Sequence, residues 1–570
     1  MTPPWVLHAE EAPETARELE RALGLHPLVA AILTRRGIAT PAEARRFLAP
    51  SLESLHDPFL LKGMDAAVAE IVAALAADRH IVISGDYDVD GVTSTALLAQ
   101  FLTDAGCTRL TTFIPNRFDH GYGLTERSVA ALLALEPALV VTVDNGITAV
   151  AEVERLRAAG VTTVVTDHHL PLPTGIPAGI VVNPLQPGCA YPFKRISGCG
   201  VTFKLVTALR KALRDRGWWG DGRAEPNLKD CLDLVAIGTV ADIVPLREEN
   251  RVLVHHGLAV LNRPERRPGV EALLRVSNVT GVSARSIAFQ VAPRLNAAGR
   301  MADGALGVEL LLTADPARAE ALALQLDEEN RTRRETGERM FAEAVRLIEA
   351  EGAQAGAGIV VASPDFHEGI IGIVASRLVE RFHLPTVVLA ENGVAFKGSA
   401  RSLPGVHVTE AFGACAHLLT QFGGHAAAGG CTLPKENLAA FREHFVAACA
   451  AAGGGEGLPA LYCDGRLEPA GIDERLVEQV GRLAPFGHGN EEPAFLVEQA
   501  ALDCGPPRVL KEKHLKWVVD RNVEMIAWNR APDFAPHPAL QYCVTLGFNE
   551  YRGTRRIQLN VTGLRCPPGA

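Results

Sequence analysis

Three runs along this chain, IVISGD (81–86), LVVTVD (139–144) and TTVVTD (162–167), are rich in β-branched residues, and each ends in an acid. Amphipathic stretches lie between them, among them Thr93–Leu102 and Ala149–Ala159. Strand, helix, strand at this spacing reads as βαβ units, so the fold class expected is α/β with a parallel sheet. Ligands of such sheets bind outside the carboxyl ends of the strands. The three acids fall at those ends.

The 570 residues suit three or four domains. A second α/β region runs from about 357 to 450, with GIVVAS and TVVLAE as strands and IGIVASRLVERF as a helix. Before it, Asp315 fits an N-cap and Pro316 a first helical position. The stretch from there to Ala350 reads as one helix, roughly 50 Å long. Its middle, DEENRTRRETGER (327–339), is polar all round, so the helix is expected to bridge two lobes through solvent, with a cleft between them. AAGGGEGLP (451–459) reads as a linker, and LKWVVD, VEMIAW, QYCVTLGF and RRIQLNV beyond it suggest a small β-barrel. The division expected is a helical segment over 1–54, a catalytic domain over 55–312, the linking helix over 313–352, a second α/β domain over 353–452 and the barrel over 460–570.

Neither a signal peptide nor a membrane span is expected, since no basic start precedes an apolar run and no 18 uncharged apolar residues occur together. The eleven cysteines are scattered and form no C-x2-C pair, which argues against structural zinc or a disulfide framework and for a reducing cytoplasm. A net charge of −10 argues against a general polyanion binder, but many of the acids sit in motifs that cations would neutralise.

Those motifs carry the chemistry. Asp86, Asp88 and Asp90 occupy alternate positions after the first strand; Asp144-Asn145-Gly146 ends the second; Asp167-His168-His169 ends the third; Asp242 follows the apolar run LDLVAIG. Any one cluster alone is also what a loop or a helix cap presents. Together they converge on one sheet edge, where so many negative groups repel one another unless cations are present. Oxygen ligands with one or two imidazoles suit Mn²⁺ or Mg²⁺, with the histidines favouring Mn²⁺. Two such ions about 4 Å apart activate water and clamp a phosphoryl group, with Asp144 a natural bridging ligand. No G-x-S-x-G elbow and no G-x4-G-K-[ST] loop is present.

GDYDVDG, VTVDNGI, TDHHLP and GTVADIVPL, in this order, resemble the four motifs of the DHH phosphoesterases. PNRFDHGYGL (115–124) and PRLNAAGRM (293–301) resemble that family's single-strand nucleases, whereas FHEGIIGIVASR (366–377), KGSARS (397–402) and FGGHAAAGG (422–430) resemble the DHHA1 domain. The likeness runs from about 55 to 430, and the β-rich tail resembles an OB-fold. It implies a 5′→3′ exonuclease of single-stranded DNA that releases nucleoside 5′-monophosphates in recombination and repair. Asp90, Asp144, His168 and Asp242 would hold one metal; Asp88 and Asp144, with Asp86, the other; His169 would lie beside the scissile phosphate. The related pyrophosphatases carry a histidine four residues before the first metal-binding aspartate. Ser84 stands there in this chain, so the second metal is expected to be held more weakly.

The resemblance further implies that Arg117, Ser399 and Arg401 bind the terminal 5′-phosphate, which guanidinium forks and a hydroxyl suit. Arg294, Asn296 and Arg300 could contact backbone phosphates or could form a structural turn before the long helix. His425, among Gly423, Gly424, Gly429 and Gly430, fits either a ligand contact or a tight turn. In the tail, residues 506–530 carry a net +3, and 551–565 hold four arginines and no acid. Lys513, Lys516, Trp517, Arg552, Arg555 and Arg556, with Trp528, Phe548 and Tyr551, suit a stacking groove for a single strand, although alternating aromatics also fit a core. Partners implied by the resemblance are single-strand binding protein and a RecQ-type helicase, and a monomer is expected. Two other readings are a DHH phosphodiesterase of short oligonucleotides, cyclic dinucleotides or pyrophosphate, and a non-enzymatic DHH-fold replication scaffold. The first leaves the tail unexplained, and the second is disfavoured because every motif acid is present.

Overall fold

The computed structural model describes residues 4–8, 13–116, 119–121, 123–220, 222–301, 304–353, 356–453, 460–502, 504–532, 534–551 and 553–566. The chain divides into two compact units, one of residues 2–292, 308–316 and 459–570, the other of 293–307 and 317–458.

The larger unit is built on a five-stranded, all-parallel sheet. Its strands lie in the order Leu110–Phe113, Ile81–Gly85, Leu139–Val143, Thr162–Thr166, Ile180–Val182. All three strands expected from the acid-ended runs are present, buried along almost their whole length. The order is doubly wound, 2-1-3-4-5 in this sheet's own numbering. Chain direction across the sheet therefore reverses between Ile81–Gly85 and Leu139–Val143, and the carboxyl ends there open a crevice. Asn145 braces it, donating from Nδ2 to the carbonyls of Ser84 (3.1 Å) and Val143 (3.0 Å).

The apolar run LDLVAIG is helix. Residues Leu232–Ala241 pack among Val89–Asp104, Gly198–Asp215 and Glu248–Leu261 and bury nearly every side chain. A helix buried all round shows no amphipathic period, so its sequence looks like that of a core strand.

The C-terminal residues form a seven-stranded sheet that contains all four expected runs, in His514–Val518, Val523–Ala527, Gln541–Tyr551 and Thr554–Arg565. It does not close its core alone. Leu19, Val29, Ile32, Leu33 and Ala44 of the N-terminal helices pack with Phe495, Trp517, Met525, Tyr542 and Leu559, and Trp5–Leu7 pairs in parallel with Leu461–Cys463. Arg251 ties this domain to the catalytic one. It is buried without an acid partner and donates to the carbonyls of Phe47, Arg482, Leu483 and Ala484 at 2.8–3.2 Å.

The smaller unit carries a five-stranded mixed sheet, in the order Gln421–Gly424, Ala428–Pro434, Ala395–Arg401, Thr386–Asn392, Ile359–Ser363, with only the last pair parallel. The expected helix over IGIVASRLVERF is Ile371–Phe382. The long helix spans Pro316–Glu351, 36 residues. Its middle is not exposed all round: Asn330 and Gly337 continue a buried stripe from Leu326 to Met340, so the solvent-bridging expectation does not hold there. Polar and small residues fill that stripe, which is why it was invisible as an apolar face.

One buried ion pair makes the packing of the larger unit testable. Glu249 receives Lys204 Nζ (2.6 Å), the backbone N–H of His56 (2.8 Å) and the Tyr191 hydroxyl. Lys204→Met strands that carboxylate and is expected to cost about 3–5 kcal/mol in denaturant unfolding, whereas adding Glu249→Gln recovers most of the loss.

Candidate metal centre

The crevice collects its candidate ligands from four chain segments. Asp86 leaves the end of the first strand. Asp88 is the N-cap of Val89–Asp104, and its Oδ1 accepts from the N–H groups of Asp90 (2.9 Å) and Gly91 (3.1 Å). Asp90 lies in that helix's first turn, and both its carboxylate oxygens are engaged by the N-terminus of Gly198–Asp215: Gly198 N–H donates at 2.7 Å and Cys199 N–H at 3.0 Å. A helix N-terminus favours an anion there through free N–H groups and dipole alike. Asp144 ends its strand with φ +63, a left-handed conformation that aspartate tolerates. Asp242 arrives as the C-cap of Leu232–Ala241.

Two glycines make this convergence possible. A Cβ on Gly198 would lie 2.3 Å from Asp144 Oδ1, and one on Gly238 would lie 2.6 Å from Asp90 Oδ1. Neither these glycines nor the Ser197–Thr239 hydroxyl pair (2.8 Å) that locks the two helices was singled out from sequence. The signal for the first was SGCG at the head of an amphipathic stretch.

The two histidines are adjacent in sequence and opposite in state. Asp167 accepts from the N–H groups of His168 (2.7 Å), His169 (3.0 Å) and Ile147 (2.9 Å), and pairs with His169 Nδ1 at 2.7 Å. Burial alone would raise its pKa, but the His169 bond and both rings hold it below the usual carboxylate value. Burial opposes protonation of His169 as well, yet Asp167, Asp242 and Asp86 push its pKa up to about 9. Burial, then the charge on His169, lowers His168 to about 4. His168 is thus a neutral imidazole fit to ligate, and His169 a half-exposed cation.

Asp90, His168 and Asp242 form one group that could hold a metal ion; Asp86, Asp88 and Asp144 form a second; Asp144, His168 and His169 a third. Asp144 thus belongs with the candidate ligands of both expected ions. The residues fit cations by a direct test. Asp144 Oδ1, His168 Nε2 and Asp242 Oδ2 are buried without a hydrogen-bond partner, although His168 Nε2 lies 3.1 Å from the first and 3.5 Å from the last. Burial first, and mutual repulsion second, raise Asp90 to about 7, Asp86 to about 8 and Asp242 to about 9, with Asp144 also well raised. A cation removes both penalties at once.

The remaining expected residues lie elsewhere. Ser399 and Arg401 share strand Ala395–Arg401, with Arg401 Nη1 donating to Ser399 Oγ at 3.1 Å. Both face the first turn of Ile371–Phe382, where a Cβ on Gly372 would come within 3.0 Å of each side chain. His425 is exposed at the tip of the neighbouring hairpin, its N–H donating to Ala428 O (2.7 Å), and Ala428 is paired with Arg401. Arg294, Asn296 and Arg300 lie on a helix, Ala292–Met301, which replaces the alternative of a turn; Arg294 pairs with Asp327 at 2.8 Å. Arg333, half-buried on the long helix with its pKa lowered to about 10 by burial and by Arg300 and Arg334, adds a cation that sequence reading missed. Arg117 and Arg552 lie outside the described residues, as does the side chain of Tyr551.

In the tail, Trp517 is 2% exposed and packs edge-on against Phe534 and Tyr542, so it is core and cannot stack on a base. Alternation along a strand does not say which face is wet. Trp528, 52% exposed beside His514, is the better platform. Lys516 is paired with Glu524 (2.6 Å), Arg555 covers Phe548, and Lys513 and Arg556 are exposed.

Raised carboxylates and a raised His169 all bind protons more tightly folded than unfolded, so their stabilisation is lost as pH rises through their folded values. In chelator, melting temperature is expected to fall as pH goes from about 6.5 to 9. Added Mn²⁺ should raise it increasingly over the same range, and in Asp144→Asn that increment should shrink by more than half. A flat profile in differential scanning calorimetry would contradict this electrostatic account.

Comparison with known proteins agrees with this architecture. Residues 80–239 match the model of the DHH family N-terminal domain, 356–451 the DHHA1 domain and 463–563 the RecJ OB domain. The single-stranded-DNA-specific exonuclease RecJ of Dickeya dadantii is 39% identical over 96% of this chain and 97% of its own length, and that of Escherichia coli 35% over 98% of both. The crystal structure of RecJ in complex with Mn²⁺ from Thermus thermophilus superposes with a TM-score of 0.83, 32% identity and coverage of 99% of this chain and 80% of that one. With such identity over nearly the whole length of both chains, this chain belongs to the RecJ family.

Proposed function

We propose that the chain is an exonuclease that degrades single-stranded DNA from its 5′ end by two-metal-ion hydrolysis, releasing nucleoside 5′-monophosphates in recombination and repair. The observation that carries this reading is the set of three buried, unpartnered donor atoms on Asp144, His168 and Asp242, set in a chain that matches single-strand exonucleases end to end. When bound, Mn²⁺ or Mg²⁺ ions supply Lewis acidity toward a phosphoryl oxygen and acidify water. Asp90, His168, Asp242 and Asp144 would hold one ion, and Asp86, Asp88 and Asp144 the other. His169, protonated and half-exposed, donates to the phosphate or the departing oxygen; Asp167 keeps it charged and aimed.

The division of labour follows the expected domains. Residues 55–312 hold the metals. Within 353–452, Ser399 and Arg401, with Arg117 from the catalytic domain, take the 5′-phosphate, aided by the N-terminal turn at Gly372, and His425 lies on the adjacent hairpin. Arg294, Asn296 and Arg300 contact backbone phosphates. In 460–570, Lys513, Arg552, Arg555 and Arg556 attract the strand and Trp528 stacks on it. Work as a cytoplasmic monomer beside single-strand binding protein and a RecQ-type helicase completes the reading and rests on family resemblance alone. No helix among the described residues is long and apolar enough to cross a membrane.

Two measurements test it. With Mn²⁺ and strands labelled at either end, the intact protein should release mononucleotides from the 5′ end only, and Asp144→Ala should be slower by about a thousandfold or more. Sparing of long strands with cleavage of dinucleotides would transfer the assignment to a small-substrate phosphodiesterase. Arg401→Ala should erase most of the preference for a 5′-phosphate over a 5′-hydroxyl, with Arg401→Lys only partly restoring it, because a point charge lacks the bidentate fork.

A further inference from the structure

Among the described residues with positive φ other than glycine, Ile243 alone is β-branched (φ +59). It sits one position past Asp242, where the helix Leu232–Ala241 ends. Helices commonly end in a left-handed residue, and glycine fills that place without strain. A branched side chain there is an outlier that persists only if something is gained. Nothing is gained by packing, because Ile243 is 70% exposed. The strained, exposed residue is thus joined directly to Asp242, a candidate metal ligand.

A second observation comes from a different segment. Leu170 follows His168-His169 directly and is 62% exposed. His168 Nε2 and Asp242 Oδ2 lie 3.5 Å apart, so each of the two segments that meet there carries an exposed apolar residue within two positions of a candidate ligand. The surroundings are mostly anionic: Asp86, Asp88 and Asp242 offer little to an uncharged, flat ring. An exonuclease acting at phosphates must still hold the nucleoside attached to them.

We infer that Ile243, together with Leu170, forms an apolar rim that packs against the nucleobase flanking the scissile phosphate, a contact indifferent to base identity. This rests on the function proposed above. The strained backbone aims the Ile243 side chain outward, toward substrate, where an unstrained helix end would carry none. These are substrate-contacting residues; neither reacts.

The test compares the intact protein, Ile243→Gly and Ile243→Leu on two single strands in Mn²⁺. One strand is normal; the other is abasic at its first two 5′ nucleotides. Ile243→Gly relieves the strain and should melt no lower than the parent, so lost activity cannot be misfolding. On the normal strand its KM is expected to rise about five- to tenfold, with kcat changed far less. On the abasic strand parent and variant should differ by less than twofold, and Ile243→Leu should keep most of the parent's KM. Equal losses on both strands, or no loss on either, overturn the contact while leaving the nuclease reading intact. A parent protein inactive on both strands overturns the nuclease reading and the contact with it.

Discussion

Like charge brought together out of water is the constraint that organises the larger unit. Five aspartates, Asp86, Asp88, Asp90, Asp144 and Asp242, crowd the switch point of the parallel sheet, three of them buried. A protein core does not tolerate that by packing alone. What holds it is a set of local devices: the N-terminus of Gly198–Asp215 beneath Asp90, the N-cap bonds of Asp88, the left-handed turn at Asp144, and Gly198 and Gly238, whose missing Cβ atoms leave room for carboxylates. These devices fix the oxygens but do not neutralise them. The residual repulsion is the driving force for binding a cation, so the cost of folding this crevice is what gives it affinity.

The same field sorts two identical side chains into different tasks. His168 and His169 stand with ring centroids 4.4 Å apart, yet one is neutral and the other charged. Asp167 makes the difference. It is itself kept ionised by its bond to His169 and by both rings, with backbone N–H groups adding to this, and so can hold one proton on His169 while that charge discourages a second on His168. A neutral ligand and a cationic donor thus come from one dipeptide, which no pair of independent histidines would deliver at this separation.

Anchoring of the C-terminal domain belongs to the same logic. The motif that supplies Asp242 ends at Leu246, whose N–H donates to His488 O (2.8 Å), and Arg247 Nε donates to Gly489 O (2.6 Å). Arg251, one turn further on, is held by four carbonyls. The C-terminal domain is therefore fastened within a few residues of a candidate metal ligand, and the N-terminal helices complete its core. Motion of one against the other would expose that core and Arg251's buried charge.

The sequence alone determined the parallel sheet, because β-branched runs ending in acids and separated by amphipathic stretches have few other solutions. It also pointed to the candidate ligands Asp86, Asp88, Asp90, Asp144 and His168, since side chains at strand ends share one edge of such a sheet, whereas Asp242 reaches that edge from a helix end. Tertiary structure decided what periodicity cannot express. Leu232–Ala241 is helix because three other helices surround it, and Trp517 is core because Phe534 and Tyr542 pack edge-on against it. Gly198 mattered only once Asp144 lay against it, and Ile243 became conspicuous only when its backbone turned left-handed into solvent. In each case the deciding neighbour is distant in sequence, and burial, strain and charge are properties of the assembled surroundings rather than of the residue.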